Sequence, residues 1–168
     1  VETRVIKRGV EMLRTYEDEL RDQAKVLLLL NTIGEIVGRV NFQKIAYLLQ
    51  RNQKLFSYDF KWWYHGPYSK DLISDIDTLV MSKLIEEDIK QENDREIYRY
   101  RLSPKGKEIL DEILNDDPQL KSLLKPFKEG EQQIKKIGFG DLVKYVYELQ
   151  ECRDAKKRGM GTRVNIPG

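Results

Sequence analysis

The sequence predicts an α+β domain, mainly helical, and three observations carry that prediction. Apolar residues recur at three- and four-residue steps along most of the chain, the spacing of amphipathic helices. One stretch, "LIEEDIKQENDREIYRYRL" at 84–102, breaks that spacing. In its second half Tyr98, Tyr100 and Leu102 alternate with Ile97, Arg99 and Arg101, the period of a half-buried strand. Caps and breakers at Gly34, Ser69, Ser103-Pro104, Asp117-Pro118 and Gly159 divide the helical stretches.

Each element follows in order. Ile6, Val10, Leu13, Tyr16 and Leu20 predict an amphipathic helix over residues 3–22. A second helix starts near Asp22 and runs through "AKVLLLLNTIG", where leucines on more than one face predict a central, buried position. "EIVGRV" reads as a short strand. Asn41 is the expected cap of a third helix, "FQKIAYLLQRN". Its buried stripe is Phe42, Ile45, Ala46 and Leu49, and its polar face holds Gln43, Lys44, Tyr47, Gln50, Arg51 and Lys54.

"FSYDFKWWYHG" is an aromatic extended segment, with Phe60, Trp62 and Tyr64 facing the core and Trp63 and His65 opposite. Gly66-Pro67 is expected to break it. Ser69 then caps a fourth helix with the stripe Leu72, Ile73, Ile76, Leu79, Val80 and Leu84. Two strands follow around a polar turn. Ser103-Pro104 starts the helix "KGKEILDEIL", and Asp117-Pro118 opens another that Pro126 must kink or divide. A last helix covers 141–157. The expected organisation is an N-terminal helix (1–22), a central domain (23–115), a helical extension (116–158) and a tail (159–168) whose glycines favour flexibility.

Composition narrows the function. The net charge is only +2 although 35% of residues are charged, which is not the footprint of a strongly basic nucleic-acid binder. One cysteine, Cys152, excludes an intramolecular disulfide and a multi-cysteine zinc site. No P-loop, dinucleotide fingerprint or metal-ligand spacing occurs, so neither catalysis nor a cofactor is expected. No apolar run approaches the roughly 18 residues a membrane span needs. The charged, periodic start "VETRVIKRGVEM" is unlike a secretory leader. A cytoplasmic protein is expected.

The order helix, helix, interruption, helix, β-hairpin, helix is that of a winged helix-turn-helix with an aromatic insertion and flanking terminal helices. "AKVLLLLNTIG", "VNFQKIAYLLQ", "GPYSKDLISDIDTLVMSKLIEED" and "REIYRYRLSPKGKEIL" resemble the successive elements of MarR- and PadR-type regulators over residues 24–114. A helix-turn-helix joins its helices with about 3–4 residues, whereas residues 52–68 intervene here. Over residues 40–86, "QKIAYLL", the aromatic strand and "HGPYS" resemble more closely the Panacea domain of SocA-like antitoxins and YwgA-like proteins. The first resemblance implies DNA binding and transcription regulation. The second implies a protein-interaction module.

Duplex DNA is the expected partner under the first reading. Arg99 and Arg101 share one face of the second wing strand, with Arg95 and Lys105 nearby. Arginine suits both phosphate and the minor groove, which wings commonly touch. Lys44 and Arg51 of the third helix and Lys156, Lys157 and Arg158 of the C-terminal stretch complete the expected grip. The fourth helix is a poor base reader, because Asp71, Asp75 and Asp77 would meet a negative backbone. Under the second reading Asp71, Asp75, Thr78, Trp63 and His65 form a protein-docking surface. The interleaved rings around Trp63 also suit base stacking, against a plainer role in closing the core. The terminal helices are expected to support a homodimer.

Overall fold

The computed structural model describes residues 7–8, 11–12 and 14–168. It is a mixed α+β structure, mainly helical, with small antiparallel sheets. Strands β1 (Lys7–Arg8) and β2 (Glu11–Met12) pair antiparallel, and a single helix α1 (Tyr16–Ile33) follows. The helix expected over 3–22 therefore starts later and merges with its successor; its remaining positions before residue 14 lie outside the described residues. The reason is local. Thr15 Oγ1 accepts from the Asp18 N–H, capping the helix at Tyr16, and acidic residues 17–19 complement its positive end. Nothing between Leu20 and Asp22 then interrupts it. Residues 26–30 are fully buried, as their apolar run implied, and Gly34 ends the helix at φ 95°.

Strand β3 (Glu35–Val37) leads into α2 (Arg39–Gln53). The helix begins at Gly38, not at Asn41, whose side chain instead donates to the Val37 carbonyl from inside the first turn. Every residue from 42 to 49 is buried, so Gln43, Lys44 and Tyr47 of the expected polar face are covered, while Gln50 and Arg51 are half-buried and Lys54 is exposed. A hairpin of β4 (Lys61–Trp63) and β5 (Gly66–Tyr68) separates α2 from α3 (Lys70–Met81). Gly66 and Pro67 form its second strand and do not break the segment; the turn falls at Tyr64 and His65. Ser69 caps α3 as expected, its Oγ accepting from the Leu72 N–H.

Strands β6 (Ile85–Glu92) and β7 (Arg95–Leu102) pair in register from Ile85↔Leu102 to Glu92↔Arg95. Asn93 and Asp94 turn between them with φ 50° and 61°, which a tight hairpin requires at both positions. β3 adds to the far side of β7, giving the order β3-β7-β6. Tyr100 points inward and meets Phe42 edge-on at 5.5 Å.

Helix α4 (Pro104–Asp116) starts where "SPKG" predicted, with Ser103 Oγ accepting from the Gly106 N–H and donating to the Lys83 carbonyl. A Cβ at Gly106 would lie 2.0 Å from the Leu84 carbonyl oxygen, and backbone cannot step aside there. Gly106→Ala is expected to lower stability by about 1–3 kcal/mol through overpacking, measured by denaturant unfolding; a change below about 0.5 kcal/mol would contradict this close approach.

The chain then forms α5 (Pro118–Lys121), α6 (Leu124–Ile137), α7 (Leu142–Tyr147) and α8 (Gln150–Arg158). The break between α5 and α6 precedes Pro126, which sits in the first turn of α6. The last helix, expected whole over 141–157, is two short ones. Leu142 and Val146 of the last helical stretch are buried in this chain's own core and are not available to a second copy. Residues 159–168 are not loose. Trp62 N–H donates to the Thr162 carbonyl at 2.7 Å and Val164 N–H to the Phe60 carbonyl at 2.9 Å, laying the tail along β4. No helix among the described residues is long and apolar enough to cross a membrane.

Candidate nucleic-acid interface

The basic wing is largely neutralised by its own sheet. Arg101 faces Glu35 of β3 at 3.6 Å and Glu86 of β6 at 3.8 Å. Arg99 lies 3.8 Å from Glu35 and 3.7 Å from Glu92. Both arginines therefore sit among carboxylates that would repel an approaching phosphate. Arg95 at the turn and Lys105 at the start of α4 are exposed, with no ion pair to a described residue.

The expected contacts from α2 are corrected by burial. Lys44 is 1% exposed and its Nζ donates to the Pro67 carbonyl at 2.9 Å, out of reach of any phosphate. With no carboxylate beside it, burial pulls its amine down to about 7. Arg51 is engaged by Glu151 of α8, with Nε at 2.5 Å and Nη2 at 3.4 Å. Tyr47 donates to the same carboxylate at 2.8 Å. Burial would raise the Glu151 carboxyl, but the bonds from Arg51 and Tyr47 outweigh it and hold it below the usual range.

Asp75 is corrected in the same way. It has no exposed surface and takes a bidentate pair from Arg14 at 2.7 and 2.6 Å, with Tyr58 Oη donating at 2.6 Å. It cannot belong to a docking surface. Asp71 and Thr78 are exposed on α3, with Met81 at its end.

The accessible chemistry lies around the aromatic hairpin. Phe60 and Trp62 point inward as the alternation implied, and Trp62 packs on Tyr147 of α7 at 5.2 Å between ring centres. Tyr64 departs from that expectation, because it sits at the turn and is 72% exposed. Trp63, 43% exposed, meets it edge-on at 5.5 Å, and His65 is exposed beside them. Gly66 fixes this corner: at φ 97° it occupies a conformation L-residues avoid, and a Cβ there would lie 2.9 Å from the Tyr147 ring.

Two features flank these rings. On one side a cavity of about 250 Å³ opens between the hairpin, α2 and α3. On the other side runs α8. Its inner face is Glu151, Cys152 and Ala155, which leaves Arg153, Lys156, Lys157 and Arg158 exposed with Asp154 among them. None of these cations forms an ion pair with a described residue; Arg158 bonds only the Arg163 carbonyl. Three positions beyond Arg158, a Cβ at Gly161 would stand 3.7 Å from the Trp63 ring. The structure thus packs α8, which carries the predicted cations, against the hairpin and sets the tail at Gly161 against the Trp63 ring.

No cluster of described residues suits a metal ion. Cys152 is buried, and burial pushes its thiol up to about 11, away from nucleophilic use at neutral pH.

No protein-family model matches the chain, and no solved structure does. Over 105 residues it is 30% identical to the uncharacterized protein YwgA of Bacillus subtilis. That stretch covers 62% of this chain and 63% of the other protein, so the likeness spans less than two thirds of either.

Proposed function

We propose that the chain is a nucleic-acid-binding protein of winged helix-turn-helix architecture, acting as a regulator, whose grip on phosphate comes chiefly from α8. The order α1, β3, α2, α3, β6, β7, with β3 beside the β6–β7 hairpin, supports the architecture. The observation that carries the binding site is the exposed set Arg153, Lys156, Lys157 and Arg158, none ion-paired to a described residue although Asp154 lies among them, on a helix that packs against the hairpin. Arg95 at the wing tip adds a lesser contact. Sequence reading is weak, because the outward face of α3 offers Asp71 and Asp77 where base edges call for donors.

Binding of labelled random duplex DNA across a salt series tests this. Each phosphate contact adds about 0.9 to the slope of log affinity against log salt. Lys156→Ala/Lys157→Ala/Arg158→Ala is expected to flatten the slope by about 2–3 units. Arg99→Ala/Arg101→Ala is expected to change it by less than about one unit. Absence of binding at low salt, or flattening by the wing variant instead, would overturn the proposal.

A protein partner on the outward face of α3, as the Panacea resemblance implies, is the second reading. The observation favouring it is Met81, 83% exposed at the end of a helix that also presents Asp71 and Thr78.

A further inference from the structure

Phosphate binding alone makes no use of the cavity beside the hairpin. Its walls are Gln43 of α2, Ile73 of α3 and the hairpin residues Trp63, Tyr64 and His65, with Arg39 at the start of α2. At about 250 Å³ it falls below the roughly 300–1,000 Å³ of a drug-sized site. It suits one planar ring system and not a whole cofactor. Three of its polar side chains, Gln43, Lys44 and Arg39, are already engaged within the protein. The Gln43 amide bonds both the N–H and the carbonyl of Ser69, at 2.9 and 3.0 Å. Arg39 lies over the Tyr98 ring at 5.2 Å. What remains for a guest is mainly ring surface and shape, which every base can use, with His65 at the rim.

Trp63 belongs to both neighbourhoods. It lines the cavity, and it adjoins Gly161 just beyond the cations of α8. We propose that the cavity seats one unpaired base of a single nucleic-acid strand, stacked on the hairpin rings, while the strand's phosphates follow α8. This rests on the nucleic-acid reading above and gives it a substrate class. A paired base in duplex is hidden in its stack and reaches such a cavity only after unpairing, so unpaired strands are preferred.

The test compares a fluorescein-labelled dT homopolymer with a duplex of equal length, both at low salt, using the full chain. The single strand is expected to bind about 10-fold more tightly. Trp63→Ala is expected to weaken single-strand binding on the order of 10-fold, with the duplex and the salt slope unchanged. Trp63→Phe keeps a ring and is expected to retain most of the affinity. Trp63 is partly exposed, and an unchanged circular dichroism spectrum shows that each variant folds. Equal affinity for strand and duplex, with Trp63→Ala indifferent to both, would overturn the cavity proposal and leave the α8 grip standing. Binding of neither would overturn both.

Discussion

An Arg14→Met variant is expected to lose about 3–5 kcal/mol of stability, the cost of leaving a buried charge without its partner. Asp75 has no exposed surface, and Arg14 supplies both of its short charged hydrogen bonds. The same guanidinium reaches Asp22 at 3.0 Å and Asp71 at 3.7 Å. Burial lowers the Arg14 pKa, but Asp75 and Asp22 outweigh it and the net shift is upward. One side chain just ahead of α1 thus joins α1 to α3 and, through Tyr58, to the strap before the hairpin. At about 2–4 °C per kcal/mol for a chain of this size, the melting temperature is expected to fall by about 6–20 °C. Replacing both partners, Arg14→Met with Asp75→Leu, is expected to recover part of the loss, since Asp75 is then no longer an orphaned charge while Asp22 still lacks its partner. A loss below about 1 kcal/mol for Arg14→Met would contradict this.

Lys44 gives the second large effect, and it depends on pH. Its folded pKa is about 7, whereas an unfolded lysine titrates near 10.4. Between those values the unfolded chain holds the proton that the folded one has released, so stability rises with pH. Below pH 7 both states are charged and the burial cost applies in full, on the order of 3–5 kcal/mol. Cys152 acts in the opposite sense. Burial raises its thiol to about 11, so the folded state keeps a proton the unfolded state sheds above pH 8.5, and stability falls there. Tyr47, raised first by burial, adds to that decline at higher pH. A maximum near pH 9 is expected for the wild type in denaturant titrations. Lys44→Met is expected to remove the rising limb, with its largest gain below pH 7. A flat wild-type profile from pH 7 to 9, or a variant less stable at every pH, would contradict this account.

Where local chemistry decides structure, the sequence was legible. Ser69 and Ser103 cap the helices they were expected to cap, and the Tyr98, Tyr100, Leu102 alternation became β7. The aromatic segment is extended, with Phe60 and Trp62 inward. Misreadings cluster where distant segments meet. The polar face of α2 looked solvated because its period is amphipathic, yet Tyr47 lies under α8, over a hundred positions away, and Lys44 under the hairpin. The wing arginines looked basic because β7 shows no acid between them; their carboxylates come from β3 and β6. The tail's glycines suggested freedom, but backbone bonds to Phe60 and Trp62 hold it in place. The cations of α8 were visible as a run. The packing of their helix against the hairpin was not, because only the fold closes that distance.

Photocrosslinking tests the central claim most directly. A single strand carrying 4-thiothymidine is bound at low salt, irradiated, and the attached peptides are mapped. Crosslinks confined to the cavity walls (the hairpin, residues 61–68, with Arg39, Gln43 and Ile73) and to α8 with its tail (residues 150–163) are the predicted result. Crosslinks concentrated on β6, β7 or the outward face of α3, or none above a free-label control, would contradict it.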